Sequence, residues 1–192
     1  MLELRVPTDA AWVGVVLADF DAFLVDHTAC EKKAFSTAIS LVSRFPEQSE
    51  LVTPLLEFAR EELEHFQRMH GILVRRGLTL GRDAVDEYAR ALQAETARNG
   101  DAYLRDRLLV SGIIEARSCE RLCLLADALP ARDPELAETY LDLARAEARH
   151  HGLFFRLART LTGEVPTLAR AAELLDFEAR LIARLPLRAA VH

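Results

Sequence analysis

From Leu104 to Ala126 the chain reads LRDRLLVSGIIEARSCERLCLLA. At helical spacing its apolar stripe runs Leu104, Leu108, Gly112, Glu115, Cys119, Leu122 and Ala126, which puts a glutamate in the middle of the face that should be buried. A lone carboxylate there costs on the order of several kcal/mol unless something cationic meets it. Three other segments repeat the pattern. One stripe gives Phe20, Leu24, His27, Glu31, Phe35, Ala38 and Val42, and a second gives Leu55, Phe58, Glu62, His65, Met69 and Ile72. A third gives Tyr140, Leu143, Glu147, His150, Phe154 and Leu157. Each of four helical segments therefore aims one Glu at the core, and two of them add a His three residues later.

Turn signals delimit these segments and leave no alternating strand pattern between them. A short helix to about Leu17 is followed by a long one from about Asp19 to Phe45, stopped by Pro46. The second long helix starts between Ser49 and Pro54 and runs to Arg76, with Gly77 placed to end it. A shorter helix is expected over about Asp83 to Asn99, and the third long helix over Asp101 to about Leu129. Asp133 and Pro134 form an N-cap and first-turn pair for the fourth, which ends before Gly163. A last helix covers about Pro166 to Leu185. The expected fold is all-α, a ferritin-like four-helix bundle with additional short helices, in a single domain over residues 1–192.

Four buried carboxylates without compensation are not credible, and two metal ions are the natural cation. A Glu-x-x-His pair lies on one face of a helix, within reach of one ion, so Glu62/His65 and Glu147/His150 each make a pair of ligands. One Glu from each of two helices plus a Glu-x-x-His from each of two others is the pattern of di-iron and di-manganese carboxylate centres in helical bundles. Glu31 precedes Glu62 by 31 residues and Glu115 precedes Glu147 by 32, the interval two similar helix hairpins need to bring ligands to one level.

Composition narrows the function classes. The 192 residues carry 24 Lys+Arg against 30 Asp+Glu, a formal charge of −6, which excludes the broadly basic footprint of a general nucleic-acid binder. Three cysteines without a C-x-x-C spacing make no disulfide framework or zinc ribbon, and fit a reducing, cytoplasmic setting. MLELRVPTDAAW has no basic segment followed by an apolar one, and no apolar run is long enough to span a bilayer, so neither secretion nor membrane insertion is expected.

The segments DHTACEKKA (Asp26 to Ala34), AREELEHF (Ala59 to Phe66), SGIIEARSCERL (Ser111 to Leu122) and ARAEARHH (Ala144 to His151) resemble the MiaE family of tRNA hydroxylases. The resemblance covers about residues 8 to 162, and IIEARSCER is its most distinctive part. It implies a non-haem di-iron monooxygenase that uses O2 to hydroxylate the isopentenyl group of 2-methylthio-N6-isopentenyladenosine, next to the anticodon of tRNA. It implies two iron ions cycling between Fe2+ and Fe3+, an external electron donor and an electron-transfer partner. The positions matching the family's ligands are Glu31, Glu62, His65, Glu115, Glu147 and His150, the same six that the stripes select.

Other residues keep more than one reading. His27 lines a substrate channel, hydrogen-bonds a ligand, or is a polar residue near a helix start. Tyr140 is core, or acts beside the metal centre. Phe35, Phe58, Phe154 and Leu108 wall a prenyl pocket or are plain core. Glu120 is turned off its stripe toward a surface salt bridge, and His151 is rotated about 100° from His150 and is not counted as a ligand. Arg145, Arg149, Arg156 and Arg159, and separately Arg68, Arg75 and Arg76, offer a local arginine surface for tRNA phosphates or are solvated faces. A ferritin-like iron-storage or detoxification protein, and a di-iron oxygenase with another substrate, use the same six ligands.

Overall fold

The computed structural model describes residues 4–192. Among these residues there are seven α-helices and no strand: α1 (Ala11–Ala18), α2 (Phe20–Arg44), α3 (Ser49–Arg75), α4 (Glu87–Ala94), α5 (Gly100–Ala128), α6 (Pro134–Thr162) and α7 (Glu164–Ile182). The chain divides into two compact units. One comprises Gly14–Ala84 with Arg188–Val191, and the other the residues up to Val13, Val85–Leu187 and His192.

The first unit is built on α2 packed against α3. Asp19 caps α2, its carboxylate accepting from the Ala22 N–H at 3.4 Å. The helix stops at Phe45, whose φ of −130° and ψ of 53° lie outside the helical region that a following proline disfavours. α3 begins at the early edge of its expected window, so Pro54 lies inside it. It ends as the Arg75-Arg76-Gly77 signal requires. Gly77 takes φ +71°, which lets the Leu78 N–H reach back to the Leu73 carbonyl at 2.9 Å and the Gly77 N–H to Val74 at 3.1 Å. Leu24, Ala38 and Leu41 of α2, and Leu51, Leu55, Phe58, Met69 and Leu73 of α3, are buried, with Glu31 and Glu62 among them on the same stripes.

The second unit holds the longer pair, α5 against α6, with α4 and α7 packed beside them. Asp133 caps α6 by accepting from the Leu136 N–H at 3.0 Å, with Pro134 in the first turn. The two helices approach closely at Gly112, where an added Cβ would sit 3.3 Å from the Phe154 Cβ and 3.5 Å from the His151 carbonyl oxygen. One expected element is shorter than the sequence suggests. The helix anticipated over Asp83 to Asn99 is limited to α4, because Asp86 caps it through the Ala89 N–H at 2.9 Å and side chains claim the backbone beyond it. Arg170 donates to the Glu95 carbonyl at 2.6 Å and the Ala97 N–H donates to Asp106 at 3.0 Å, so these groups do not continue the ladder. Among the described residues no helix is long and apolar enough to cross a membrane.

Candidate metal centre

Each unit contributes half of the residues singled out from the stripes. In the first, α2 carries Glu31 and α3 carries Glu62 and His65. Glu31 and Glu62 are buried, and the His65 side chain is 15 % exposed. The His65 Nδ1 lies 3.7 Å from Glu31 Oε2 and 3.7 Å from Glu62 Oε1. In the second, α5 carries Glu115 and α6 carries Glu147 and His150, all buried. The His150 Nδ1 lies 4.0 Å from Glu115 Oε2 and 3.8 Å from Glu147 Oε2.

These separations identify what the atoms are suited to. At 3.7–4.0 Å they are beyond hydrogen-bond distance. They are still short enough for two donor atoms to reach one divalent ion at about 2.0–2.2 Å from each, since such a pair can lie up to about 4 Å apart. One ligand atom from each of Glu31, Glu62 and His65 lies within 4.8 Å of the others, and the same holds for Glu115, Glu147 and His150. Carboxylate oxygen plus imidazole nitrogen is a donor set for iron, manganese or zinc. The residues present therefore fit a metal ion in each half.

Burial alone would raise the pKa of Glu31, but the hydrogen bond from His27 and the charge of that imidazole hold the carboxyl well below the usual carboxylate range. His27, one turn before Glu31 on α2, puts its Nε2 2.7 Å from Glu31 Oε1. Of its sequence readings, the structure supports the hydrogen bond to a ligand candidate. The i, i+4 spacing of two residues on one stripe was the available signal.

Several neighbours take places the stripes did not resolve. Glu120 is not on an open surface: it accepts from the Thr8 N–H at 3.0 Å, from the Thr8 hydroxyl at 2.6 Å and from Arg117. The expected salt bridge forms, with Arg117, but Glu120 is half-buried rather than on an open surface, because Thr8, 112 residues away in the chain, packs on it. His151 turns its Nδ1 to the Gly112 carbonyl oxygen at 2.8 Å, a bond from α6 to α5. Tyr140, Phe58, Phe154 and Leu108 are buried, and Phe35 is half-buried. Arg145, Arg149 and Arg156 are exposed on α6, whereas Arg159 pairs with Glu164 and stacks on Phe155. Arg68 and Arg75 on α3 and Arg76 just after it are exposed, with Arg76 close to Asp21 and over the Phe20 ring.

Comparison with known proteins places the geometry in context. A family model described as tRNA-(MS[2]IO[6]A)-hydroxylase (MiaE) matches residues 2–192. The tRNA 2-(methylsulfanyl)-N(6)-isopentenyladenosine(37) hydroxylase of Pseudomonas putida is 37% identical over 172 residues, covering 90% of this chain and 82% of the relative. The protein of the same name from Salmonella typhimurium is 27% identical over 229 residues, covering 93% of this chain and 83% of its own. Among solved structures, a protein with aldehyde deformylating oxygenase activity from Synechococcus aligns with a TM-score of 0.91 at 33% identity, covering 98% of this chain and 94% of that one. The all-α, ferritin-like fold expected from the stripes is the fold of that neighbour.

Proposed function

The chain belongs to the MiaE family of tRNA hydroxylases, and we propose that it hydroxylates the isopentenyl group of 2-methylthio-N6-isopentenyladenosine in tRNA as an O2-dependent di-iron monooxygenase. The observation that carries this reading is the pair of matching half-sites, Glu31 with Glu62/His65 and Glu115 with Glu147/His150, in a chain of that family. Each half-site holds one iron ion. The family match over residues 2–192 supports reading residues 1–192 as one functional domain.

Two ferrous ions, when bound, supply two electrons and the oxygen-activating chemistry that side chains lack. The protein's part is charge balance, orientation and dryness. Four carboxylates offset the charge of two divalent ions, which is what permits so many acids to be buried. His65 and His150 each offer one ring nitrogen from the turn that carries the neighbouring glutamate. Phe58, one turn before Glu62, and Phe154, one turn after His150, are buried and keep water from their respective half-sites. One oxygen atom of O2 enters a C–H bond as the hydroxyl. The other leaves as water, with two protons and two electrons from an external donor delivered by an electron-transfer partner. Exposed arginines of α6 and of α3 contact tRNA phosphates, a positioning role that needs no generally basic protein. The substrate sets the compartment as the cytoplasm.

Nucleoside mass spectrometry tests the assignment. tRNA bearing the prenylated, methylthiolated adenosine, incubated with iron-loaded protein, O2 and a reductant, is expected to gain one oxygen atom at that nucleoside. No gain refutes the substrate. Metal analysis is expected to find about two irons per chain, and Glu115→Ala to lose most of one or both. A large closed shell in size-exclusion chromatography, together with iron uptake and no nucleoside product, would favour storage instead.

A further inference from the structure

His27 stands outside the six proposed ligands yet touches one of them. It lies one helical turn before Glu31 on the buried face of α2, with its side chain 2% exposed and that of Glu31 4% exposed. Its ring packs on Phe23, centroid to centroid 5.8 Å, which restricts rotation. The 2.7 Å contact from Nε2 to Glu31 Oε1 is N–H donation to a carboxylate. The other oxygen of the same carboxylate, Oε2, lies 3.7 Å from His65 Nδ1. The two oxygens of Glu31 are therefore in different situations: one is held by a proton donor on its own helix, and the other faces the imidazole of α3.

We infer that His27 is a positioning residue that holds Glu31 Oε1, so that Glu31 presents Oε2 alone to the metal ion it shares with His65. The inference rests on the reading of Glu31 and His65 as iron ligands. A carboxylate free at both oxygens swings between one-oxygen and two-oxygen binding. One anchored by a charge-assisted hydrogen bond must break that bond to chelate, so the donor sets both the coordination number and the aim of the ligand. His27 does this from within α2, without drawing on any distant element.

Co2+ titration of the full chain, followed by visible absorption, tests the inference without relying on catalysis. His27→Gln keeps an N–H donor at similar reach, His27→Asn keeps polarity but falls short of Glu31, and His27→Leu removes the donor at similar bulk. The wild type is expected to bind two Co2+ per chain, with His27→Gln within about threefold of it in affinity and with the same bands. His27→Asn and His27→Leu are expected to lose roughly 10- to 100-fold in affinity, with weaker bands as Glu31 chelates and the coordination number rises. Circular dichroism confirms folding, and His27→Asn carries the test if His27→Leu does not fold. His27→Asn with unchanged affinity and spectrum overturns the inference, as does His27→Gln being as impaired as His27→Asn, since the ring itself would then be required. A wild-type chain that takes up no Co2+ overturns the ligand reading and this inference with it. Two bound ions that are indifferent to His27 overturn this inference alone.

Discussion

Arg117 on α5 and Glu178 on α7 form an ion pair with no exposure of either side chain, Nη2 lying 2.7 Å and Nε 3.0 Å from Oε1. The Tyr88 hydroxyl donates to the same oxygen at 3.0 Å. The guanidinium also reaches the Val6 carbonyl at 3.0 Å and the Thr8 hydroxyl at 3.1 Å, so α4, α7 and the segment before α1 are tied to α5 two residues past Glu115. A buried charge left without its partner is far costlier than the pair is favourable. Arg117→Met strands the fully buried Glu178 without its guanidinium and is expected to lower the free energy of unfolding by about 3–5 kcal/mol, while the double replacement Arg117→Met with Glu178→Leu recovers most of it. Urea unfolding at neutral pH measures both, and a double variant as unstable as the single one would contradict the account.

How legible this chain is from sequence depends on where a residue's partner lies. Glu31, Glu62, Glu115 and Glu147 stand out because an acid on an apolar helical stripe conflicts with its own neighbours, a conflict visible within about two turns. The ends of α2, α3 and α6 were legible for the same reason: Asp19, Gly77 and Asp133 act on backbone groups a few residues away. Arg117 looks like an ordinary surface arginine until Glu178, 61 residues on, is folded against it. The shortened α4 is a similar case, since Arg170 captures the Glu95 carbonyl from 75 residues away. His27 falls between the two. Its i, i+4 relation to Glu31 was readable, but only the buried 2.7 Å contact separates a ligand's partner from a polar helix-start residue.

Metal removal should show directly in stability. A divalent ion that binds only the folded chain stabilises it by about 2.7 kcal/mol at a hundredfold excess over Kd. For a chain of this size that corresponds to a rise in Tm on the order of 5–10 °C. Mn2+ or anaerobic Fe2+ added to chelator-treated protein is expected to produce such a rise, and a chelator to reverse it. Glu147→Leu removes a buried acid and should leave the metal-free Tm equal or higher, while abolishing most of the metal-induced rise. Differential scanning calorimetry with and without metal separates these two effects. A Glu147→Leu chain that still gains the full increment would remove Glu147 from the ligand set.

The approach of α5 to α6 at Gly112 predicts a graded response to side-chain size. Alanine gains up to about 1 kcal/mol of intrinsic helix propensity. Against that, its Cβ would meet the Phe154 Cβ at 3.3 Å and the His151 carbonyl oxygen at 3.5 Å, so the two effects are expected nearly to cancel. Gly112→Val has no such compensation. It must push the helices apart where His151 bonds the Gly112 carbonyl at 2.8 Å, for a loss of about 1–3 kcal/mol. Because Glu115 sits one turn further along α5, and Glu147 and His150 lie just before the contact residues His151 and Phe154 on α6, Gly112→Val should also weaken metal binding. Thermal unfolding and metal titration of the two variants check this, and a Gly112→Val chain unaffected in both would mean that the close approach does not set the ligand spacing.

Cys119 and Cys123 lie one turn apart on α5 and should react very differently. Cys123 is exposed and Cys119 half-buried, and that burial, with the neighbouring Cys123 thiol adding to it, pushes the Cys119 thiol up to about 12. The thiolate is the nucleophile, so at pH 8 iodoacetamide is expected to alkylate Cys123 readily and leave Cys119 unmodified until the chain is unfolded. The sign of the linked effect on stability follows. The unfolded chain loses this proton near pH 8.5 and the folded chain only toward about 12. The contribution of Cys119 to stability is thus complete below about pH 8.5 and declines as the pH rises through that window. Peptide mass spectrometry after timed alkylation at pH 8 and at pH 10, native and in urea, resolves the two sites. Equal alkylation of Cys119 and Cys123 in the native chain at pH 8 would show that the partial burial of Cys119 does not raise its pKa.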